Sequence, residues 1–175
     1  MMKETVFNGK VWVIADSKRQ LISDIDTDQI FHNAHLHITD INEMGKYTFG
    51  NLKGWEDFPS KVQPGDMVIV GSNFGSGSSR QQAVDCFRAL GVTLIIAASY
   101  GAIYKRNAIN SGFIILTMDR IEDVVNSGKI KNQDQLEIDL PTGKLMNKRS
   151  GEHFDLEDIS TVQLDIYKKG TLLDI

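Results

Sequence analysis

The fold is best predicted from one stretch of the chain, Gly71-Ser72-Asn73-Phe74-Gly75-Ser76-Gly77-Ser78-Ser79-Arg80, and from the residues on either side of it. The apolar run 67–70 precedes the stretch and is rich in β-branched residues, which indicates a buried strand. Apolar residues at helical spacing follow it and predict a helix that begins near Ser79 and ends before Gly91. A glycine-rich loop between a strand and a helix presents backbone N–H groups and the positive end of a helix dipole to an anion.

The loop does not match the two common phosphate-binding patterns. Its glycines lack the G-x-G-x-x-G spacing of dinucleotide-binding proteins, and no lysine follows the last glycine as in a P-loop. What remains is an anion site with two hydroxyls and one guanidinium, from Ser78, Ser79 and Arg80. A serine N-cap followed by a surface arginine is an equally simple interpretation, and the local pattern does not decide between the two.

Strands and helices alternate around this stretch. Further buried strands are predicted at 11–14, 93–98 and 113–116, and helices at 101–110 and 119–127. The alternation predicts parallel βαβ units with right-handed crossovers in the middle of the chain.

The two ends of the chain differ from the middle. Residues 15–40 show no period and predict a long ordered loop, whereas 41–62 is loosely helical. The alternating segment 136–140 and the turn after it predict a hairpin, and 156–169 predicts a C-terminal helix. We therefore predict one α/β domain over residues 1–175.

Composition and charge exclude several classes of protein. Hydrophobic residues make up 41% and charged residues 24% of the 175 residues, as in ordinary globular domains and unlike disordered chains. A net charge of −4 without a long basic run argues against nucleic-acid binding. No stretch approaches the ~20 apolar residues of a membrane span, and residues 1–5 lack the apolar core of a signal peptide, so the sequence predicts a cytoplasmic protein without membrane contact.

The chain has one cysteine, Cys86. One cysteine cannot form an internal disulfide, hold zinc through several thiolates or bind an iron–sulfur cluster by itself, so any such centre would lie on another chain. Cys86 falls on the apolar face of its predicted helix, which favours a buried structural thiol over a nucleophile.

Two clusters of possible metal ligands precede the glycine-rich loop, and neither predicts a metal site. The run 24–28 begins like a calcium-binding loop, but its sixth position is Gln29 instead of glycine and its twelfth is His35 instead of glutamate. His32, His35 and His37 lie close together, but no carboxylate motif of known spacing accompanies them, and histidines are also common in loops and substrate pockets.

The segment 100–112 is unusually polar for a connection between two buried strands. It contains Arg106, Asn107 and Asn110. Helix capping and solvent exposure are sufficient to explain these residues from the pattern alone.

Three blocks of the sequence, taken in order, resemble signatures of the aconitase superfamily. They are Asp26-Thr27-Asp28-Gln29-Ile30, Asn73-Phe74-Gly75-Ser76-Gly77-Ser78-Ser79-Arg80 and Ser99-Tyr100-Gly101-Ala102-Ile103-Tyr104-Lys105-Arg106-Asn107-Ala108-Ile109-Asn110. The block N-F-G-x-G-S-S-R is highly specific, and the resemblance extends over nearly the whole chain. Within the superfamily, the chain is similar to the small, separately encoded swivel subunit of 3-isopropylmalate dehydratases.

This resemblance implies a swivelling β/β/α domain that closes over a large subunit. The large subunit would carry a [4Fe–4S] cluster as Lewis acid, with no cofactor on this chain, which agrees with the single cysteine. The implied activity is that of a hydro-lyase, active only with the large subunit, on a small hydroxy-dicarboxylate. Dehydration and rehydration would interconvert 2-isopropylmalate and 3-isopropylmalate in leucine biosynthesis.

The resemblance also implies roles for single residues by their position in the motifs. Ser78 would be the serine alkoxide that takes the α-proton of the substrate. Arg80 would grip a substrate carboxylate with support from Ser79, and Asp28 would belong to the catalytic hydrogen-bonded network. A helix N-terminus, Arg80 and nearby amides would stabilise the alkoxide.

The chain departs from the family pattern in two places. Gln81 stands where a glutamate usually follows the arginine, away from the reacting groups. The loop His35-Leu36-His37-Ile38 stands where relatives often have Tyr-Leu-x-x, and it lacks the arginine that members handling a third carboxylate have at the third place. We therefore predict that these four loop residues bind the substrate's variable group, with Leu36 and Ile38 covering a branched alkyl group.

Other functions stay open at this point. A homoaconitate hydratase or 2,3-dimethylmalate dehydratase small subunit would share the same motifs. A non-catalytic anion-binding or regulatory module would keep the fold alone, but the joint presence of Ser78, Arg80 and Asp28 argues against it.

Overall fold

The structure, a computed structural model, describes residues 2–174. Its strands are β1 Val6–Val13, β2 Met67–Ile69, β3 Leu94–Ala97, β4 Ile114–Thr117, β5 Gln135–Asp139, β6 Lys144–Asn147 and β7 His153–Asp155. Its α-helices are α1 Thr27–Ile30, α2 Ile41–Met44, α3 Phe58–Lys61, α4 Gln82–Ala89, α5 Ala102–Asn110, α6 Ile121–Asn126 and α7 Thr161–Lys169, with 3₁₀ turns at Asn33–His35, Gly45–Tyr47 and Leu172–Asp174. Across the described residues the strands form one seven-stranded sheet in the order β4-β3-β2-β1-β5-β6-β7.

Strand β1 joins two halves of this sheet. Its residues 11–13 pair in parallel with β2, and its residues 6–10 pair antiparallel with β5. β3 and β4 continue the parallel half, whereas β5, β6 and β7 are antiparallel to one another. Helix α4 connects β2 to β3 and helix α5 connects β3 to β4, so the predicted α/β fold with parallel βαβ units in the middle of the chain is confirmed.

The sheet separates two apolar layers, because successive side chains of a strand point to opposite faces. One layer contains Trp12, Val68 and Ile95 together with residues of α4 and α5. The other contains Val13 and Ile69 together with residues of β5, β6 and α6. Full burial of an aliphatic side chain of this size contributes about 1.5–3 kcal/mol, so the second layer, which contains residues of both halves, holds the two halves together.

The predicted helical segments differ most from the structure at three places. Helix α4 begins at Gln82 rather than near Ser79, and α7 begins at Thr161 rather than at 156. Between 41 and 62 the chain forms only short helical turns.

The late start of α7 has a clear physical cause. The backbone N–H of Leu156 donates to the carbonyl of Gly143 in the hairpin, and that of Glu157 donates to Thr117 at the end of β4. These bonds keep the backbone extended until the serine N-cap, Ser160. Within residues 2–174, no helix has the length and apolar character that crossing a membrane requires.

Candidate active site at the carboxyl edge of the parallel strands

The glycine-rich loop leaves β2 at the carboxyl edge of the parallel strands, where open α/β sheets bind ligands. Segments that follow β1 and β3 flank it, and each pairs with it through a parallel bridge. Asp26 pairs with Ser76 on one side, and Phe74 pairs with Tyr100 on the other. The three blocks that carry the family resemblance therefore meet in one place.

Close packing fixes the conformation of the loop. Gly75 has φ +79°, and a Cβ at this position would lie 2.2 Å from Cγ of Tyr104. The Tyr104 hydroxyl donates to the carbonyl of Ala83 (3.0 Å), which ties helix α5 to helix α4. A glycine is required at position 75 for both the positive φ and the space.

The start of the loop is braced by a carboxylate from helix α6. Glu122 accepts hydrogen bonds from the hydroxyls of Ser23 (2.7 Å) and Ser72 (2.9 Å). These bonds hold the pKa of the Glu122 carboxyl below its ordinary value, so the brace is anionic at neutral pH. The brace joins the segment after β1 to the loop after β2.

Asp28 lies in helix α1, whose first turn is capped by Asp26 and Gln29 in a reciprocal capping box. Its Oδ1 accepts from Nη1 of Arg80 at 2.8 Å and from the backbone N–H of Asn33 at 2.9 Å. The hydrogen bond from Arg80 is the largest of the effects that keep the pKa of Asp28 below its ordinary value, although partial burial raises it. Asp28 is therefore an ionised anchor for Arg80.

Arg80 uses only part of its guanidinium within the chain. Nη1 donates to Asp28 and to the carbonyl of Phe31 (3.0 Å), and the side chain is 13% exposed. Among residues 2–174, no hydrogen bond is made by its Nε or Nη2. That unused edge has the two parallel donors that fit a carboxylate.

Ser78 and Ser79 precede Arg80 in irregular, exposed chain. The Ser79 Oγ accepts a hydrogen bond from Nδ2 of Asn107 (2.9 Å), whereas no partner for the Ser78 hydroxyl occurs in the described part of the chain. The alternative interpretation of either serine as a helix N-cap is wrong, because the cap position is Gln81, without a side-chain hydrogen bond. The helix N-terminus expected beside Ser78 lies about one turn further along the chain.

The loop 35–38 runs beside the start of helix α4. The imidazole of His35 stacks on Tyr47, with ring centroids 4.0 Å apart, and the Leu36 carbonyl accepts from the Gln82 side chain at 3.3 Å. Leu36 and His37 are exposed, whereas Ile38 is half-buried against the apolar layer. Burial, with the nearby charges of other histidines, lowers the pKa of His35, so its imidazole is neutral at neutral pH.

The structure adds site residues that the sequence did not single out. Asn51 Nδ2 donates to Oδ2 of Asp28 at 3.0 Å, and the Phe31 carbonyl accepts from Arg80. Asn107 had a visible signal, an unusually polar segment between buried strands, and the structure adds to exposure a hydrogen bond from its side chain to Ser79. Asn51 and the Phe31 carbonyl had no signal in the sequence, because their role comes from tertiary contact alone.

The residues described do not fit an iron–sulfur cluster on this chain. No group of three or more histidine, cysteine or acidic side chains within residues 2–174 is placed to hold a metal ion. Cys86 is fully buried, and burial raises the pKa of its thiol to about 12. A thiol enclosed in this apolar layer is out of reach of a cluster.

Comparisons with known proteins agree with this architecture. The sequence profile of the Aconitase C-terminal domain matches residues 56–121. The 3-isopropylmalate dehydratase small subunit of Thermodesulfovibrio yellowstonii is 36% identical over 166 residues, which cover 95% of this chain and 90% of that protein. The small subunit 1 of Archaeoglobus fulgidus is also 36% identical, over 95% of this chain and 94% of its own. A crystal structure of 3-isopropylmalate dehydratase from Methanocaldococcus jannaschii superimposes with a TM-score of 0.82 at 31% identity, covering 97% of this chain and 92% of that one.

Proposed function

The chain belongs to the family of 3-isopropylmalate dehydratase small subunits, and we propose that it acts with a large subunit to interconvert 2-isopropylmalate and 3-isopropylmalate. Water is removed from the hydroxy-dicarboxylate and added back at the neighbouring carbon, as leucine biosynthesis requires. The observation that carries the proposal is the unused edge of Arg80, which Asp28 holds in place and which two exposed serines directly precede in the chain.

The substrate carboxylate binds at Arg80. Nη1 stays with Asp28 and Phe31, and the Nε and Nη2 edge donates two parallel hydrogen bonds to the carboxylate oxygens. Because the arginine side chain is only 13% exposed, this ion pair is partly shielded from water. Ser79, the preceding residue, supplies a hydroxyl as a further donor.

Ser78 is the base of the proposed reaction. Its exposed hydroxyl makes no hydrogen bond within the described chain and is free to face the substrate. As the alkoxide, it takes the proton from the α-carbon and becomes a neutral hydroxyl, and the electron pair of the C–H bond forms the double bond. The neighbouring C–O bond breaks, and the departing hydroxide would be accepted by a Lewis acid on the large subunit. Rehydration reverses these bond changes and returns the proton. Arg80, backbone N–H groups of the loop and the N-terminal end of helix α4 stabilise the anion.

The large subunit holds the [4Fe–4S] cluster in this proposal. The described residues of this chain do not fit a cluster, since no three ligands converge and Cys86 is buried. The chain contributes the base Ser78 and the residues that bind the substrate carboxylate, Arg80 and Ser79. It also contributes the loop 35–38, which contacts the substrate's variable group through His35, Leu36, His37 and Ile38. We place the enzyme in the cytoplasm, where this biosynthetic reaction is expected.

Replacing the base tests this function directly. Ser78→Ala in the reconstituted pair of subunits is expected to lower kcat for 2-isopropylmalate by at least ~100-fold, with KM within a few-fold of wild type, because the proton transfer is lost while the carboxylate clamp remains. Ser76→Ala is the matched control, since its side chain lies in the same loop and makes no hydrogen bond among the described residues. Near-normal turnover by Ser78→Ala would remove the assigned role.

A further inference from the structure

Asn107 reaches the site from helix α5. Its Nδ2 lies 2.9 Å from Oγ of Ser79, and the asparagine is half-buried whereas the serine is exposed. Helix α5 is itself held in place by Tyr104, whose ring packs edge-on against Phe74 with centroids 5.2 Å apart and whose hydroxyl donates to Ala83. The amide therefore approaches Ser79 from a fixed support.

The polarity of this hydrogen bond determines what Ser79 can do. An amide nitrogen carries only donors, so Ser79 must accept from Asn107. A hydroxyl has one proton, and that proton is then available to a different acceptor. Within residues 2–174 no such acceptor is bonded to it.

Ser79 directly precedes Arg80 in the chain, and the Nε and Nη2 edge of Arg80 is also unused among the described residues. A carboxylate offers two oxygens with several lone pairs, which are enough to accept from both arginine nitrogens and from the hydroxyl. A hydroxyl that already accepts from a fixed amide has lost most of its rotational freedom. Such an ordered donor binds a carboxylate at a lower entropic cost than a freely rotating one.

We propose that Asn107 is a positioning residue that holds Ser79 as a hydrogen-bond donor to the substrate carboxylate bound by Arg80. The inference rests on the proposed function, because it concerns the same site and the same substrate. It goes beyond the proposed function because it assigns a role to a residue outside the glycine-rich loop. Asn107 sets the direction in which Ser79 donates its hydrogen bond to the substrate carboxylate.

The first test removes the donor. In the reconstituted pair with 2-isopropylmalate, Asn107→Leu is expected to raise KM about tenfold and to leave kcat within about twofold, because a carboxylate contact present in both ground and transition states is weakened. The matched control is Asn110→Leu, which replaces a half-buried asparagine on the same helix and is expected to keep the wild-type KM. Thermal unfolding of both variants shows whether either one loses its fold.

The second test separates positioning from packing. If Asn107 acts through Ser79, then Ser79→Ala and the double variant with Asn107→Leu have the same KM, so the two effects do not add. If the leucine variant is unstable, Asn107→Asp provides the test in its place. Its carboxylate accepts from Ser79 instead of donating to it, which withdraws the proton and again raises KM.

The outcomes distinguish the two hypotheses. Additive effects of the two substitutions, or a wild-type KM in both Asn107 variants, would overturn the role of Asn107. The proposed function would still hold in that case, provided that the wild-type pair turns over 2-isopropylmalate. A folded wild-type pair that does not turn over isopropylmalate would overturn the proposed function and this inference with it.

Discussion

Arg80 holds its partners within the chain with one guanidinium nitrogen and leaves the Nε and Nη2 edge unused among the described residues. One nitrogen is held by the Asp28 carboxylate and the Phe31 carbonyl, which lie 52 and 49 positions away in the chain. Asp28 is in turn held by Asn33 and Asn51. A carboxylate that accepts this many hydrogen bonds is a poor base, so its contribution is to orient the arginine.

A lysine at this position cannot keep both sets of contacts. Arg80→Lys is expected to raise KM for 2-isopropylmalate at least ~30-fold with a smaller change in kcat, because one ammonium cannot bond Asp28 and also present a planar fork to the substrate. Arg106→Lys, at an exposed position on helix α5, is the matched control. A KM that stays at the wild-type value would show that the clamp lies elsewhere. Steady-state kinetics of the reconstituted pair measures both variants.

His35 couples the fold to pH. Burial and the neighbouring histidines lower its pKa in the folded chain, so on acidification the unfolded chain takes up the proton first. The free energy of unfolding therefore falls as the pH drops below about 6.5, the ordinary value for histidine. His35→Phe keeps a ring against Tyr47 but does not titrate, so its stability is expected to fall less between about pH 7 and pH 5.

Thermal or urea unfolding at several pH values measures this difference. The exposed His153 on β7 provides the control, since His153→Phe removes a histidine that is not stacked in this pocket. The same pH dependence in wild type and His35→Phe would contradict the assignment.

At the scale of elements, the glycine-rich loop and helix α4 show what a local pattern misses. Paired serines before an apolar helical pattern are typical of an N-cap, and this predicted a helix start near Ser79. The helix begins at Gln82 instead, with Ser79 bonded across to Asn107 in helix α5. A contact between residues 28 positions apart competes with the local cap, and local spacing contains no information about it.

The loop 35–38 is the element expected to select the substrate. It presents Leu36 and His37 to solvent and contains no arginine. A third substrate carboxylate brought into a closed site without a cation would cost several kcal/mol in order of magnitude, whereas an isopropyl group gains ~25 cal/mol for each Å² of apolar surface buried. The wild-type pair is therefore expected to prefer alkyl-substituted malates to homoaconitate or citrate.

Adding a cation to the loop reverses this preference. His37→Arg is expected to shift kcat/KM toward homoaconitate and citrate by at least ~10-fold relative to 2-isopropylmalate, because it supplies the missing partner for the third carboxylate. His37→Gln, which is uncharged, is expected to keep the alkyl preference. An unchanged ratio in His37→Arg would show that the loop does not select the substrate. Efficient wild-type use of a tricarboxylate that His37→Gln abolishes would show that His37 is itself the cation.

At the scale of the whole molecule, apolar patterning predicted the parallel half of the sheet and the hairpin, but missed half of β1. The buried run at 11–14 is evident in the sequence, whereas residues 6–10 contain Asn8, Gly9 and Lys10 and read as polar chain. They form a strand because β5 pairs with them. Gly9 is needed there, since a Cβ would lie 2.3 Å from the carbonyl oxygen of Gly65. Residues 6–10 are therefore a strand because of their pairing with β5, and the periodicity of the sequence carries no information about that pairing.

The candidate site was predicted from the sequence to the extent that its residues belong to motifs. The motifs identified Ser78, Ser79, Arg80 and Asp28, and the structure joins the last two directly at 2.8 Å. The Phe31 carbonyl and Asn51 lie outside the motifs, so they became visible only in the folded chain. Asn107 lies in the third block, but its contact with Ser79 is not contained in the spacing. This is why the polarity of the Ser79 hydrogen bond could not be inferred from spacing.

The last prediction concerns which of the two subunits holds the iron–sulfur cluster. Within the described chain no three ligands converge, and Cys86 lies in the apolar layer with a thiol pKa raised to about 12. The isolated chain, incubated with ferrous iron and sulfide under reducing conditions, is expected to stay colourless and to show no turnover of 2-isopropylmalate. Activity is expected on addition of a large subunit that carries its cluster. The native thiol is likewise expected to resist iodoacetamide and to react once the chain is unfolded, because only the burial protects it. Cys86→Ala controls for weak iron binding at that thiol. A stoichiometric iron–sulfur absorbance that the wild-type chain shows and Cys86→Ala lacks would place a cluster on this subunit and contradict the prediction.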